Sequence, residues 1–272
     1  MKEISADEFK QISIYLTQKV QEFCHLKGLR CFLGYGSLIG AIRHKGFIPW
    51  DDDIDLIMPR ADYESFLKQF NGYYQHLYVV APQTNWNNSM VYANVCDDRT
   101  FLDEGHDDHH GVEMGVKIDI FPLDGVANDE ADYRRDADKI NQLKKELWVK
   151  KQKLSYTYSD FGFLSYIKHL VKKIIYCGNT YKSVQQKIID IATKYDFESS
   201  DYVDNVIFNP YGYTRCRREI FENVIEVDFE GHKFITMKDY DTYLHTIYGD
   251  YMQLPPVEKR VTHHNFNAYW KD

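Results

Sequence analysis

Gly34-Tyr-Gly-Ser-Leu-Ile-Gly-Ala-Ile-Arg-His-Lys-Gly-Phe-Ile-Pro-Trp-Asp-Asp-Asp-Ile-Asp-Leu-Ile-Met-Pro59 is the stretch that decides the fold of this 272-residue chain. It joins a small-residue turn, Gly34-Tyr35-Gly36-Ser37, which opens a helix, to an acidic strand, Asp53-Ile54-Asp55-Leu56-Ile57-Met58. Alternate side chains of a strand share a face, so Asp53 and Asp55 point the same way, roughly 7 Å apart. Ile54, Leu56 and Met58 then face the core. Two like charges on one face of an apolar strand repel each other and lose hydration on burial. A divalent cation removes both penalties, and hard carboxylate oxygens suit Mg²⁺ or Mn²⁺.

Three other readings compete for the same residues. A dinucleotide-binding turn wants Gly-x-Gly-x-x-Gly, but Gly34, Gly36 and Gly40 are spaced one residue too long. A calcium loop starting at Asp51 would need Gly and Glu where Leu56 and Asp62 stand. A solvated acidic turn suits Asp51 and Asp52. It suits Asp55 poorly, because Ile54 and Leu56 enclose that residue.

Working outward, the chain is long enough to bury a full core, as one large domain or one domain with an appendage. A net charge of −8 argues against general nucleic-acid binding. The 22 tyrosines suit amphipathic clefts as well as rims of a packed core. The five cysteines, Cys24, Cys31, Cys96, Cys177 and Cys216, are odd in number and widely spaced. That argues against a disulfide framework or a cysteine-built zinc site and makes a reducing cytosol the expected compartment. The polar, acidic N-terminus does not read as a signal peptide, and no apolar run is long enough to span a bilayer.

Residues 5–27 have helical spacing, with Ser5 or Asp7 as cap and Gly28 as stop. Strand at 30–35, helix at 37–44, loop at 46–52, the acidic strand ended by Pro59, and helix at 61–70 follow. Residues 76–81 and 90–96 have strand composition, and 100–103 is expected to pair with the latter. In 115–121, Val116, Ile118 and Ile120 alternate against Lys117 and Asp119, a strong strand pattern closed by a turn at Pro122 and Asp124-Gly125. Interleaved strands and helices argue for an α/β or α+β core. Beyond it lie helices over 129–153, 163–176 and 182–195, a hairpin through Glu230-Gly231, and a last helix capped by Asp239. A composition boundary near residue 126 divides a core of 1–126 from a helical and C-terminal region of 127–272, with both halves contributing to one cleft.

A two-metal phosphoryl-transfer site needs a third carboxylate. Asp119 is the best candidate, opposite the apolar face of its strand. The bland reading is an acid at a strand end bonded to a turn. At this point the residues resemble a known family. Gly36-Ser37, Asp53-Ile54-Asp55-Leu56 and Ile118-Asp119-Ile120 resemble the nucleotidyltransferase-fold signature. The block from Gly36 through Arg43-His44 to Asp55, together with Asp119-Ile-Phe-Pro-Leu-Asp124 and Tyr248-Gly-Asp-Tyr-Met-Gln-Leu-Pro-Pro256 with His263-His264, resembles the LicD family of phosphocholine transferases. Between 128 and 220 no motif contributes.

The resemblance implies an α+β fold: a nucleotidyltransferase-like mixed sheet with flanking helices, a helical insertion and a C-terminal hairpin and helix. It implies transfer of a phospho-alcohol group, typically phosphocholine from CDP-choline, to a sugar hydroxyl of a glycan or lipid-linked glycan precursor of lipopolysaccharide or teichoic-acid type. In that setting Asp53, Asp55 and Asp119 hold the metal, and Asp119 is also the candidate base. Gly36 and Ser37 meet a phosphate at a helix N-terminus. Arg43 either neutralises developing charge or is a surface arginine. His44 either lies near the phosphate or packs at a helix end, and His263 and His264 either line the donor site or pack the tail. The loop histidines His106, His109 and His110 read as solvated rather than metal-binding. Tyr248, Tyr251 and Trp270 are candidates to line an alcohol pocket. A nucleotidyltransferase that moves NMP and a non-catalytic nucleotide- or glycan-binding module remain the alternatives. Finally, residues 139–173 carry nine Lys against two acids among aromatic and aliphatic residues. They fit either packed amphipathic helices or a helix pair touching an anionic membrane face through Lys144, Lys145, Lys150 and Lys151.

Overall fold

The strand that carries Asp55 and the strand that carries Asp119 lie side by side, as a shared acidic face requires. The computed structural model describes residues 1–272 apart from 87–88, 104–111, 153, 209 and 263–266, and apart from the side chains of 155–161. In chain order the elements are β1 (Lys2–Glu3), α1 (Ala6–Lys27), β2 (Phe32–Leu33), α2 (Tyr35–Arg43), β3 (Asp55–Pro59), α3 (Arg60–Gln69), β4 (Leu77–Val80), β5 (Ala93–Asp97), β6 (Thr100–Asp103) and β7 (Lys117–Val126). They continue with α4 (Glu130–Lys151), α5 (Leu154–Ile175), α6 (Tyr181–Ala192), β8 (Tyr202–Asp204), β9 (Cys216–Arg217), β10 (Val224–Phe229), β11 (His232–Met237), α7 (Tyr240–Tyr248) and β12 (Asn267–Trp270).

The central sheet runs β2-β3-β7-β5-β4, with β8 and β9 added along the far end of β7. β3 and β7 are parallel and the other pairs antiparallel. This is the mixed sheet of an α+β fold. Both sheet faces are buried, and the period-2 alternation sorts the side chains between two cores. Ile54, Leu56 and Met58 join Ile118 and Ile120 on one face, under α1 and α3. Ile57, Phe121 and Leu123 go to the other, under α2 and α7. Asp55 and Asp119 belong to this second face by alternation. A third core sits between α4, α6 and the end of β7.

Local signals explain the helices. Ser5 and Glu8 form a capping box at the start of α1, and Gly28 closes its end at φ 66°. Asp129 caps α4 and Thr180 caps α6. The hairpin β10-β11 turns at Glu230 and Gly231, both with positive φ (50° and 76°), the geometry a two-residue hairpin loop needs.

Three expectations are corrected. β6 pairs not with β5 but with the C-terminal strand β12, which also pairs with β1. The tail therefore zips the two chain ends together. β7 does not stop at Pro122 but runs through to Val126. Pro122 sits between the last β7 residue paired with β5, Ile120, and the first paired with β8, Asp124. A missing N–H there interrupts no ladder on that edge. The acidic strand begins at Asp55, so Asp53 stands on the approach to it. Residues beyond 126 are woven back into the first sheet through β8.

At the far end of β7, Arg60 grips Asp124 through two bonds of 2.6 and 2.8 Å. Opposite Asp124 in register lies Asp204, which accepts the Tyr133 hydroxyl at 2.7 Å. Burial pushes the Asp204 carboxyl up from its ordinary 3.8 to about 7, and the nearby Asp124 charge adds to the shift. The folded protein therefore keeps a proton that the unfolded chain releases. The stabilising contribution is fully present below the unfolded value and is lost as pH rises through the folded one. Asp204→Asn keeps the shape and the acceptor for Tyr133. It should flatten the melting-temperature profile between about pH 4 and pH 7 and melt higher than the parent above that range. Parallel profiles for the two proteins would show that Asp204 titrates normally.

Candidate active site

The site is built on the turn from β2 into α2. The Gly34 N–H donates to the Asp55 carbonyl at 3.0 Å, which ties the turn to β3. Tyr35 takes a left-handed φ of 45° to swing the chain into the helix, a conformation that costs about 1–3 kcal/mol in a non-glycine residue. Its buried ring lies edge-on to Phe121, Phe208 and Tyr243, which holds it there. One turn on, Ser37 Oγ accepts the backbone N–H of Asp55 at 2.8 Å. Gly36 is bare where a Cβ would stand 3.0 Å from Asp51 Oδ2. The small residues therefore let the acidic loop and β3 close onto the N-terminus of α2, where the helix dipole favours negative charge. A Cβ on Gly40 would collide with the Gly46 carbonyl. The loop is braced from the other side by Glu230 of the hairpin turn, which accepts the Phe47 N–H at 3.1 Å.

Asp55 and Asp119 face each other across the β3–β7 pair, on strands about 4.8 Å apart. Asp119 also stands opposite Asn94 of β5. The Asn94 amide and the Lys117 ammonium (2.9 Å) both donate to Asp119 Oδ1. Lost hydration pushes the Asp55 carboxyl well above the usual range, and the charges of Asp53, Asp119 and Asp51 push it further, with Lys117 opposing. The same acids raise the phenols of Tyr92 and Tyr211, on which burial acts first. Four carboxylates thus share one field. Among the described residues, however, no three His, Cys, Asp or Glu side chains are already drawn into a ligand set.

Beside the acids opens a cleft of about 470 Å³, walled by Trp50, Tyr211, Tyr248 and Tyr251 and edged by Arg43 and Lys259. Arg43 donates to the Tyr251 carbonyl at 2.7 Å and to His44 Nε2 at 2.9 Å. Burial, and the charge of Arg260 close by, push the Arg43 guanidinium down. Arg260 stands over the Trp50 ring, 5.5 Å from its centroid. Burial and Arg43 likewise lower His44.

The structure therefore gathers Gly36, Ser37, Asp53, Asp55 and Asp119 at one end of the β3–β7 pair and puts Arg43 and His44 at the C-terminal end of α2. Trp270 is a correction. It lies on β12 with the Arg99 guanidinium over its ring, 5.9 Å from the centroid, away from Tyr248 and Tyr251. His106, His109, His110, His263 and His264 fall outside the described residues. Sequence reasoning missed Asn94, Tyr92, Trp50, Tyr211 and Arg260. Lys117 had a signal, since it shares the Asp119 face by alternation. Asn94 had none, because only the β5–β7 register brings it to Asp119.

Residues 28–130 match the model of the LicD/FKTN/FKRP nucleotidyltransferase domain, a span that holds every carboxylate of the site. Over 99% of its length the chain is 29% identical to the lipopolysaccharide cholinephosphotransferase LicD of Haemophilus influenzae, of which 99% is covered. An uncharacterized protein of Rickettsia prowazekii is 29% identical over 103 residues, 32% of this chain and 39% of that one. Another from Rickettsia typhi is 32% identical over 89 residues, 29% of each. The chain is a LicD-like transferase, and the span that matches the nucleotidyltransferase model lies in its first half.

The crowded acids generate a stability prediction. In metal-free buffer near neutral pH, Asp55→Asn should raise the melting temperature, by about 2–4 °C for each kcal/mol of repulsion relieved. A variant that melts lower than the parent under those conditions would mean that the Asp55 carboxylate is stabilised by its surroundings rather than opposed by them.

Proposed function

We propose that the protein transfers phosphocholine from CDP-choline to a sugar hydroxyl of a cell-surface glycan precursor, with Mg²⁺ or Mn²⁺ held by Asp53, Asp55 and Asp119. The observation that carries this reading is the in-register pairing of Asp55 with Asp119 beside an aromatic-walled cleft. The named activity of the Haemophilus influenzae relative supports phosphocholine as the group and a lipopolysaccharide-type glycan as the acceptor.

The donor set fits a hard divalent ion: carboxylate oxygens only, with one member, Asp55, penalised for its charge by three neighbours. When bound, the metal supplies charge neutralisation on the diphosphate and a Lewis acid on the transferred phosphorus. The chain's own residues do the rest. Ser37 and the backbone bonds at Gly34 hold Asp55 in place. Asn94 and Lys117 both take Asp119 Oδ1 and so orient Oδ2 for the acceptor. The sugar hydroxyl loses its proton to Asp119 as its oxygen bonds to the choline-bearing phosphorus. The bond from that phosphorus to the bridging oxygen breaks, and CMP leaves. Arg43 and Arg260 face the phosphates with cationic charge at the other side of the cleft. Trp50, Tyr211 and Tyr248 line the cleft, an aromatic wall of the kind that suits a quaternary ammonium. All five cysteines are free, which suits work in a reducing compartment such as the cytosol.

With CDP-choline, a divalent cation and a glycan acceptor, the protein should release CMP. Pyrophosphate released from CTP would instead mark NMP transfer by the same acids. Asp53→Asn, Asp55→Asn and Asp119→Asn should each cut turnover by about a hundredfold or more. Any of them turning over at the parent rate under saturating metal would remove that residue from the site. Tyr211→Ala should raise KM for CDP-choline by roughly 3- to 30-fold, and much less for a CDP-alcohol without the ammonium. An equal effect on both donors would place the choline elsewhere.

A further inference from the structure

The second half of α5, beyond the break at Gly162 (φ 78°), carries an unpartnered face. Phe163, Leu164, Ile167, Val171, Ile174 and Ile175 recur at helical spacing on one side of that helix. All six are exposed, Leu164 to 77%, Ile175 to 67% and Phe163 and Ile174 to 63% each. The opposite side is the one that packs. His169 is buried with Trp148 of α4 edge-on to its ring. Lys173 Nζ donates to the Lys150 carbonyl at 3.2 Å, and Lys150 Nζ returns to the carbonyls of Tyr176 and Asn179 at 2.7 and 2.6 Å. The helix is thus fixed by one face while its most apolar stripe points to solvent. Isolated exposed apolar side chains are ordinary, but six in one stripe mark an interaction surface.

We infer that this stripe is a docking surface for an anionic lipid membrane. Charge selects that occupant. From Phe161 to Ile189 the sequence contains five Lys and no Asp or Glu, in a chain whose net charge is −8. Lys168 and Lys172, both exposed, flank the stripe on the helix. A second copy seated on the same face would bring those lysines against their equivalents, with no acid in the part of the helix beyond Gly162 to pair them. A bilayer accepts the apolar side chains among its acyl chains and the ammonium groups among its phosphates. Two of the four lysines expected from sequence to make this contact, Lys144 and Lys150, are engaged elsewhere. Lys150 is spent on the carbonyls of Tyr176 and Asn179, just beyond α5, and burial pushes Lys144 down. No helix among the described residues is long and apolar enough to cross a membrane, so the contact is interfacial.

Flotation of the full chain with vesicles tests this without donor, acceptor or metal, so its outcome is separate from that of the transfer reaction. The protein should float with vesicles of phosphatidylcholine and phosphatidylglycerol at low salt, weakly with phosphatidylcholine alone, and less as salt rises. Leu164→Glu with Ile174→Glu should weaken binding to the mixed vesicles by about tenfold or more. Lys168→Gln and Lys172→Gln should cost about fivefold each and lessen the salt dependence. These side chains are exposed, so melting curves should match the parent and rule out unfolding as the cause. No flotation of the parent at low salt, or equal flotation of the variants, overturns the inference. A parent dimer in sedimentation that Leu164→Glu with Ile174→Glu makes monomeric, without vesicle binding, would give the stripe to a second copy instead.

Discussion

Two carboxylates held side by side on parallel neighbouring strands set the terms for the rest of this molecule. Asp55 and Asp119 occupy matching positions on β3 and β7. At strand spacing and an effective dielectric near 20, their repulsion is on the order of 3 kcal/mol. That is a sizeable share of the roughly 5–15 kcal/mol by which domains are stable. The Lys117–Asp119 ion pair and the Asn94 amide offset part of it from one side, at a single oxygen. The surroundings of Asp55 are acidic on every other count. A fold that keeps this arrangement carries a standing electrostatic cost, and a cation that binds the folded state and not the unfolded one offsets it by mass action.

The same strand shows the contrast between an acid that builds and an acid kept ready. Asp124, five residues beyond Asp119 on β7, is fully buried and clasped by the two nitrogens of Arg60. Its charge is satisfied, and the pair locks α3 against the sheet. Asp119 is nearly as buried, yet its two donors fall on one oxygen. Both acids belong to the stretch whose resemblance to the LicD family is visible in sequence, and only their partners separate scaffold from chemistry.

What the sequence discloses follows from how local each cause is. The cap and stop of α1, the alternation of β3 and β7 and the hairpin turn are written in neighbouring residues, and the structure has them where expected. The face shared by Asp55 and Asp119 follows from period 2 alone. Partners that depend on register were not legible. Nothing in 267–270 announces a strand, so sequence alone offers β6 only its nearest neighbour, whereas its partner is at the far end of the chain. Pro122 reads as a terminator when its neighbours are unknown, and is harmless once the gap between β5 and β8 is seen. Asn94 enters the site only through the antiparallel pairing of β5 with β7.

Two groups of like charge flank the aromatic cleft, which Asp250 also lines. At one end stand the carboxylates around Asp55. At the other, Arg43 is pushed down by burial and by Arg260. Arg43 is tied to the Tyr251 carbonyl, which anchors the C-terminal segment to α2, and Arg260 to the Pro255 carbonyl within that segment. Each end is therefore under repulsion that an opposite charge would relieve. A metal–diphosphate presents such charges in the right order, cationic toward the acids and anionic toward the guanidiniums, and a trimethylammonium group on the same donor would meet the rings of the intervening wall. On the proposed reaction, the two local instabilities are the two halves of one binding site, and a donor that carries all three groups gains from both at once.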